Sequence, residues 1–421
     1  MRILLIYHFF HPDTVISARL FADLASDLRD GGHQVTVFTG NRLLRGEGEL
    51  PEREDWNGVE ICRFRRPNFR QGSHFGRLLN SFILQLKWLC GLWRRRADFD
   101  AIIIGTDPQF TYLMFPWIRL ICGKVRLIHW VFDLYPEIIL VNSSRWMRWL
   151  ASLSKPLLPL AYRTIDRIID IGPRMRQIMQ RHNQDACGHT ITPWALSEPS
   201  EVSVPDSTVR KELFGEAKLA ILYSGTVGHA HNIIPFIELA RECRRREIDV
   251  AFCFAGYGNT YHEQLSVLSS EDTNIRMAGF ADESQLEQRL AAADIHLISL
   301  REGWEGLVVP SKFFAALAIG RPVLFHGSEK SDIAQWIREF SLGNVLAAAN
   351  QEEVIGQLCA YLNDLGKLRQ DQRHAWDIYQ AYFSKRRMLE KFQWVISGTE
   401  VPAQDGCTEV PARDGCTEVP A

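Results

Sequence analysis

A lysine stands in the first turn of a short predicted helix in the C-terminal half of the chain. The segment 299–325 predicts a strand, an acidic loop that contains glycine, and a helix that begins after Ser311 and ends at Gly320. The N–H groups at a helix N-terminus attract anions, and Lys312 adds a full positive charge. Because a cation in a first turn is unfavourable unless an anion binds there, the pattern indicates a diphosphate site. An ordinary capped helix with a solvated lysine is the alternative.

Turns that contain glycine follow other predicted strands of the same half. They lie at 223–228, 254–258 and 277–280. Glycine lets the backbone N–H groups of such turns approach a phosphate or a sugar. Any one of them could be only a tight turn, but three at the strand ends of one domain favour a ligand site. The candidate residues in the first two turns are Ser224, Gly225, Thr226, Gly228, Gly256 and Gly258.

Two carboxylates and a histidine mark the end of a predicted strand in the N-terminal half. The strand runs over 125–131 and contains His129, and Asp133 and Glu137 follow it. Parallel sheets bind ligands at the carboxyl ends of their strands, so these side chains are predicted to face a cleft, together with Asp13 in the loop after the first strand. Alternatively, Asp133 caps the next helix and Glu137 is solvated.

The elements that must position these side chains alternate between strands and amphipathic helices. Strands are predicted at 3–7, 34–39, 101–104, 125–131, 165–171, 219–224, 250–255 and 295–300. A stretch with proline and serine at 191–205 separates the first five from the last three and predicts a linker. The fold class is therefore predicted to be α/β, with two doubly wound parallel-sheet domains that face a cleft.

Length and composition agree with two domains. The chain has 421 residues, of which 46% are apolar and 23% charged, and single cores rarely exceed about 250–300 residues. We place the N-terminal domain at 1–195, the C-terminal domain at 205–375 and a helical segment at 376–397. A nine-residue repeat that begins at Thr399 has few bulky apolar residues, so we predict a disordered tail over 398–421.

Charge and cysteine content exclude several classes of protein. The formal net charge of −2 argues against a nucleic-acid-binding protein, which would carry a basic excess. The nine cysteines have no metal-ligand spacing and are predicted to be reduced and mostly buried. No apolar run reaches the ~18–20 residues of a membrane helix, and the N-terminal run is too short for a signal peptide, so we expect a cytoplasmic protein.

The N-terminal half nevertheless combines a basic excess with apolar helical patterns. Residues 60–130 contain twelve Lys/Arg and four Asp/Glu. Two segments join an apolar face to arginines, 78–96 and 145–150, and the second contains Trp146 and Trp149. Such a face suits an anionic bilayer, so we predict a peripheral contact with the inner face of the cell membrane. A core-facing helix that ends in arginines explains the first segment as well.

Several of these segments resemble one known family. They are YSGTVGHAHN at 223–232, FAGYGN at 254–259, RMAGF at 276–280 and EGLVVPSKFFAALAIGRPVLF at 305–325. These segments resemble the retaining glycosyltransferases of family 4, which have the GT-B fold of two Rossmann-like domains. The segment 6–42 and WVFDLYPE at 130–137 resemble the bacterial branch near the fucosamine transferases of surface-polysaccharide synthesis. The similarity extends over residues 1–395.

The resemblance implies which domain binds the donor and which binds the acceptor. The C-terminal domain binds a nucleotide-sugar donor, with UDP-sugars favoured over GDP-sugars, no metal ion and no other cofactor, and the last helical segment crosses back to the N-terminal domain. The implied catalytic residues are Asp133, Glu305 and Lys312. The implied donor contacts are the turn residues above and Ser311, which lies beside Lys312 at the diphosphate. Glu305, Gly306 and Leu307 are implied to contact the donor sugar, and Phe280 the base. The implied residues of the acceptor side are His129, Glu137 and Asp13.

The chain departs from the family pattern in three ways. Two glutamates eight positions apart usually stand where this chain has Leu307 and Ala315, and Glu305 is displaced by two positions. The frequent basic residue of the phosphate loop is replaced, near His229 and His231, so Lys312 is expected to carry more of that charge. Phe132 replaces a histidine that often precedes the residue equivalent to Asp133.

From these observations we predict a retaining, metal-independent glycosyltransferase of polysaccharide or glycolipid synthesis. Its acceptor is a hydroxyl group, and we expect a polyprenyl-linked one. The alternatives are a nucleotide-sugar epimerase of the same architecture, a sugar-binding protein that has lost activity, and a transferase that acts on a soluble small molecule. Nucleotide diphosphate that is released only when an acceptor is present would separate a transferase from the first two.

Overall fold

The computed structural model describes residues 1–44, 48–67, 69, 74–182, 187–258, 260–279, 281 and 283–398. Within these residues the chain forms an eight-stranded and a six-stranded sheet, each with helices between its strands. The predicted α/β class with two Rossmann-like domains is confirmed. The repeat from Thr399 onward lies outside the described residues.

The first sheet contains the predicted strands of the N-terminal half and three more. The strands are β1 (Arg2–Ile6), β2 (Gln34–Gly40), β3 (Arg53–Trp56), β4 (Val59–Phe64), β5 (Ala101–Gly105), β6 (Arg126–Trp130), β7 (Arg167–Asp170) and β8 (Cys187–Thr190). Their order is β3-β4-β2-β1-β5-β6-β7-β8, and all pairs are parallel except β3 with β4. The ends of β1, β5 and β6 therefore lie side by side at one edge.

The helices of this domain are α1 (Ile16–Asp30), α2 (His74–Arg94), α3 (Phe115–Cys122), α4 (Glu137–Asn142), α5 (Arg145–Ser154), α6 (Leu158–Tyr162) and α7 (Pro173–Met179). Helix α1 buries one face, which includes Leu20, Leu24 and Leu28, and ends at Gly31 as predicted. Helix α2 buries Leu84, Trp88 and Leu92. Phe82, Leu86 and Trp93 of the same helix are exposed, so the core-facing interpretation of 78–96 holds for one side of the helix only.

The second sheet begins after a linker with no helix or strand at residues 191–206. Its strands are β9 (Leu219–Thr226), β10 (Val250–Tyr257), β11 (Ile275–Ala278), β12 (Ile295–Ser299), β13 (Val323–His326) and β14 (Gly343–Leu346). They are all parallel, in the order β11-β10-β9-β12-β13-β14. Its helices are α8 (Ser207–Phe214), α9 (Ile234–Arg245), α10 (Tyr261–Leu265), α11 (Glu283–Ala291), α12 (Lys312–Ala318), α13 (Asp332–Phe340) and α14 (Gln351–Asn363).

The last helical segment is not continuous, in contrast to the prediction for 376–397. Helix α15 (Leu365–Ile378) runs into a π-helical turn at Tyr379–Phe383, and α16 (Lys385–Ser397) follows after an extended Ser384. Glu198 of the linker accepts hydrogen bonds from the hydroxyl of Tyr379 and from the N–H of Lys385. The linker carboxylate therefore stabilises the break between the two helices.

Helix α16 packs on the N-terminal domain. The ammonium of Lys385 lies 2.5 Å from a carboxylate oxygen of Asp23, and Phe392 packs edge-on against Trp130 with ring centres 4.6 Å apart. The same apolar cluster contains Trp304 and Phe383, so one core joins the two sheets. No helix in the described part of the chain is long and apolar enough to cross a membrane. Six described cysteines are free thiols, and three of these are buried.

Candidate active site

The side chain of Lys312 lies against the end of β9. It is the first residue of α12, which follows the loop after β12. Its ammonium donates hydrogen bonds to the carbonyl oxygen of Thr226 at 2.6 Å and to the hydroxyl of Tyr223 at 3.0 Å. Burial lowers the pKa of Lys312 to about 7, so any bound anion would shift its protonation.

His231 positions this lysine. Because a carbonyl oxygen only accepts, Nδ1 of His231 carries the proton that is donated to the carbonyl oxygen of Ser299 at 2.8 Å. The other ring nitrogen, Nε2, is left as an acceptor 3.4 Å from Nζ of Lys312. Burial lowers the pKa of His231 to about 3, so the ring is neutral at pH 7. His231 thus orients Lys312 without adding a charge.

The glycines of the predicted turns let neighbouring chain segments approach one another. Gly225 has φ +116°, and a Cβ there would lie 2.8 Å from Cε of Lys312. A Cβ on Gly256 would lie 2.1 Å from the carbonyl oxygen of Gly225, and one on Gly258 would lie 2.3 Å from that of Val227. These three glycines therefore make room for Lys312 and for the contact between two loops, whereas a Cβ on Gly228 would meet nothing within 4 Å.

The acidic loop after β12 reaches the N-terminal domain. A carboxylate oxygen of Glu305 accepts the N–H of Gly303 at 2.9 Å, and this bond fixes the turn. Gly306 has φ +74°, and a Cβ there would lie 2.8 Å from Cγ of Arg174 on α7. The carbonyl oxygen of Leu307 accepts the N–H of Leu134 at 3.0 Å. Gly306 and Leu307 thus contact the N-terminal domain, and Glu305 in the same loop is half-buried.

Ser311 differs from its predicted role. It occupies the position before α12, but its hydroxyl caps no backbone N–H in the described structure, and its backbone is helical. The side-chain cap predicted for this residue is therefore wrong. Ser224 and Thr226 lie at the end of β9, partly exposed and exposed respectively. Phe280 lies outside the described residues.

The N-terminal half of the site contains two neighbouring carboxylates. Asp107 follows β5 and Asp133 follows β6. Burial, together with the charge of Asp107, raises the pKa of Asp133 to about 6. Asp107 accepts a hydrogen bond from Nδ1 of His8 at 2.7 Å, and Nε2 of His8 lies 3.0 Å from a guanidinium nitrogen of Arg66. The strand ends thus bring Asp133 and a fixed Asp107 together.

Three other residues that were predicted to line this cleft, His129, Asp13 and Glu137, have structural contacts instead. His129 is buried beside Phe115, with Nδ1 3.3 Å from the hydroxyl of Tyr162, and burial lowers its pKa to about 3. It is a core residue, because its side chain lies under the helices rather than at the strand end. Asp13 is buried as well.

Asp13 and Glu137 hold local structure. The carboxylate of Asp13 accepts the N–H groups of Val15 at 3.1 Å and Leu44 at 2.6 Å, so it fixes the loop after β1. Glu137 is the first residue of α4, and its carboxylate lies 3.6 Å from Nε2 of His182. Neither alternative predicted for Glu137 included this partner.

A second polar contact joins the two domains beside the first. Asp332, the first residue of α13, accepts the N–H of Arg174 at 2.8 Å. A Cβ on Gly172 would lie 2.5 Å from its carboxylate. Burial raises the pKa of Asp332 to about 7. A second hydrogen bond therefore joins the two domains, at Arg174, the residue that also lies against Gly306.

Several residues of the site were not predicted from the sequence. His8 directly follows one predicted strand and Asp107 comes three residues after another, so the rule that identified Asp133 could have identified both. The contacts of Tyr223 and His231 with Lys312 join residues that lie 89 and 81 positions apart. No group of three or more His, Cys, Asp or Glu in the described part of the chain could hold a metal ion.

Two family models match the chain, and together they span most of both domains. The Glycosyl transferase 4-like domain matches residues 17–192, and the domain of Glycosyl transferases group 1 matches residues 218–364. The chain belongs to the glycosyltransferases that combine these two domains. The resemblance seen in the sequence is thereby confirmed for the family, and the transferase function is favoured over the epimerase.

Other comparisons agree with this assignment. The probable glycosyltransferase WbjE of Pseudomonas aeruginosa is 25% identical over 360 residues, which cover 79% of this glycosyltransferase and 82% of WbjE. HepE from Anabaena, solved in complex with UDP-glucose, is 14% identical with a TM-score of 0.63, over 94% of this chain and 100% of HepE. WaaG, a glycosyltransferase involved in lipopolysaccharide biosynthesis, is 16% identical with a TM-score of 0.61, over 94% of this chain and 100% of WaaG. The two structures share the GT-B fold with this chain.

Proposed function

We propose that the enzyme transfers a sugar from a nucleotide diphosphate to a hydroxyl acceptor with retention of anomeric configuration. The observation that carries the donor assignment is the side chain of Lys312, whose ammonium is held by Thr226, Tyr223 and His231 at a sheet edge lined by glycine turns. A diphosphate that gains charge as it leaves is stabilised most by a fixed cation in a partly dehydrated site. UDP-sugars are favoured over GDP-sugars, and the UDP-glucose complex of HepE supports this preference.

In the proposed reaction the acceptor hydroxyl attacks the anomeric carbon from the face that the diphosphate leaves. The bond between the anomeric carbon and the diphosphate oxygen breaks, and a bond between that carbon and the acceptor oxygen forms. The hydroxyl proton passes to the departing diphosphate. Lys312 stabilises the negative charge on that group, so the reaction needs no metal ion.

The N-terminal carboxylates are proposed to orient the acceptor. Asp133 lies at the strand end beside Asp107, and the hydrogen bond from His8 holds Asp107 in place. At pH 7 a group with a pKa of about 6 is mostly ionised, so Asp133 can accept a hydrogen bond from the attacking hydroxyl. Glu305 is proposed to contact the donor sugar from the opposite loop, with the backbone of Gly306 and Leu307 beside it.

We further propose that the acceptor is a polyprenyl-linked sugar and that the enzyme acts in polysaccharide or glycolipid synthesis at the inner face of the cell membrane. The role of WaaG in lipopolysaccharide biosynthesis and the resemblance of 130–137 to the fucosamine-transferase branch support this proposal. A soluble small-molecule acceptor is the rival.

The proposed function is tested by product analysis. Purified enzyme is incubated with UDP-sugars and GDP-sugars, with and without a polyprenyl-diphosphate-linked sugar, and free nucleotide diphosphate is measured. We expect release only with acceptor, and a product whose NMR coupling constant shows the anomeric configuration of the donor. Inversion at the anomeric carbon would contradict the mechanism. A new nucleotide-sugar formed without acceptor would indicate an epimerase.

A further inference from the structure

The N-terminal domain exposes large apolar side chains along one continuous stretch of helix. Residues 145–163 comprise α5, a single 3₁₀ turn at Lys155–Leu157, α6 and Arg163. The inner face is buried through side chains that include Met147, Ala151 and Leu158. The outer face, which a soluble domain would normally make polar, instead exposes Trp146, Trp149, Leu153, Leu157 and Leu160.

The apolar area continues onto the adjoining helix. Helix α3 packs against α6, and its outer face exposes Trp117 and Leu120, the latter by 73%. Trp149 on α5 is 66% exposed. Single exposed apolar residues are common on protein surfaces, but seven on adjoining helices form a patch that is typical of an interaction site. We call these seven residues together with the basic residues of 145–163 the apolar-basic face.

The positive charge of the apolar-basic face indicates which kind of partner binds there. The stretch 145–163 contains four basic residues and no Asp or Glu. They are Arg145, Arg148, Lys155 and Arg163, all exposed, and none forms an ion pair within the described structure. Tryptophan and leucine set among unpaired cations match a bilayer surface that contains anionic lipids. A second copy of the chain would place like charges against each other, which disfavours a symmetric dimer through this face.

The segment 78–96, which was also predicted to contact a membrane, fits that contact less well. The arginines at the end of α2 include Arg95, which bridges Glu60 at 2.9 Å and Asp98 at 2.9 Å. Helix α2 buries Leu84, Trp88 and Leu92 in the core, although it exposes Phe82, Leu86 and Trp93. Helix α2 thus exposes one tryptophan and has one of its three terminal arginines paired, whereas α5 exposes two tryptophans and the basic residues of 145–163 form no ion pair within the described structure.

The apolar-basic face also lies close to the candidate active site along the chain. Helix α5 packs against α4, and α4 begins four residues after Asp133. A bilayer on this face would approach the side of the cleft that the N-terminal domain forms, where an acceptor hydroxyl is expected. We propose that the enzyme docks on anionic membranes through the apolar-basic face, and that docking delivers a lipid-linked acceptor to Asp133. The delivery rests on the proposed function, whereas the docking does not.

The experiment is co-sedimentation of the full chain with vesicles, without donor. Vesicles that contain phosphatidylglycerol are compared with vesicles of phosphatidylcholine alone, at low and high salt. The test variants are Arg145→Gln with Arg148→Gln, and Trp146→Ser with Trp149→Ser. The matched control is Arg94→Gln with Arg96→Gln, which removes two exposed cations from the end of α2.

We expect binding to the anionic vesicles that falls at high salt. The arginine variant should bind about 30-fold more weakly, since each basic side chain near an anionic surface contributes roughly fivefold, and the control should bind like the wild type. Equal binding to both vesicle types, no binding, or an equal loss in the control would overturn the proposal. Self-association that the tryptophan variant abolishes would instead make this face a dimer interface. Binding of UDP to each variant, measured by thermal shift, keeps the outcome separate from the donor site.

Discussion

The N–H of Leu134 donates a hydrogen bond to the carbonyl oxygen of Leu307 at 3.0 Å, and this contact joins the two halves of the candidate site. Leu134 directly follows Asp133, and Leu307 directly follows Gly306 in the acidic loop. The proposed acceptor carboxylate and the proposed sugar-binding loop are therefore fixed with respect to each other by backbone atoms. Donor and acceptor groups must meet within the length of a forming bond, so we expect catalysis to depend on this contact.

Gly306→Ala should weaken this domain contact. The residue has φ +74°, and the new Cβ would lie 2.8 Å from the side chain of Arg174. We expect the free energy of unfolding to fall by about 2 kcal/mol and kcat to fall with it, because the loop must move away from the N-terminal domain. Chemical denaturation and steady-state kinetics measure both. Gly356→Ala is the control, since a Cβ there meets nothing within 4 Å, and it should leave both quantities unreduced.

Asp133→Asn should stabilise the protein while it lowers activity. The folded-state pKa of about 6 lies above the ordinary value of 3.8, so ionisation of Asp133 opposes folding, and stability from this group is lost as the pH rises through about 6. A neutral amide avoids that loss, and we expect up to about 3 kcal/mol of added stability at pH 7 and little at pH 4.

The contrasting variant is Asp13→Asn. Asp13 uses both carboxylate oxygens to accept backbone N–H groups, and an amide can accept on only one of them. This variant should be destabilised at pH 7. Denaturation curves of both variants at the two pH values are the measurement, and equal effects of the two substitutions would contradict the environment assigned to Asp133.

Donor affinity should fall as the pH rises above about 7. In the empty site burial lowers the pKa of Lys312 to about 7, and a bound diphosphate favours the charged ammonium and raises that pKa. Binding therefore takes up a proton between the two pKa values, and affinity should weaken by up to about tenfold per pH unit. Calorimetric titration of UDP between neutral and alkaline pH measures this slope. A slope that persists in Lys312→Ala would assign the proton to another group.

Chelation by EDTA should leave the transfer rate unchanged. The positive charge that the leaving diphosphate needs is supplied in this account by Lys312, which His231 and Tyr223 hold in place. The assay is the release of nucleotide diphosphate before and after EDTA treatment. A loss of activity that Mg²⁺ or Mn²⁺ restores would show that the diphosphate is held by a metal ion.

The strands that carry the site were predictable because buried parallel strands are short continuous apolar runs. The predicted runs at 3–7, 101–104 and 219–224 differ from the observed strands by no more than two residues at either end. The β3–β4 hairpin was missed, although Asn57-Gly58 with positive φ at both residues is a common hairpin turn, because its first strand is charged and partly exposed. The break in the helical segment 376–397 was missed because a linker carboxylate causes it.

The candidate site was predictable in part. Lys312 was identified because the first turn of a helix is a local feature of the sequence. The partners of Lys312 were not, because the sheet order places β12 beside β9, and that order is a tertiary property. His129 was misplaced for a related reason: a strand alternates its two faces, and its register decides which side chain lies under the helices.

The role of Lys312 at the leaving diphosphate is tested by measuring acceptor-dependent release of nucleotide diphosphate by the Lys312→Ala variant. We expect kcat to fall by about 10²- to 10³-fold, the range for the loss of one charge-stabilising group, with an unchanged circular dichroism spectrum. Lys330→Ala, which removes an exposed lysine of the same domain, should keep the wild-type rate. If Lys312→Ala also kept that rate, the leaving diphosphate would not depend on this lysine, and the proposed role of Lys312 in the donor site would be wrong.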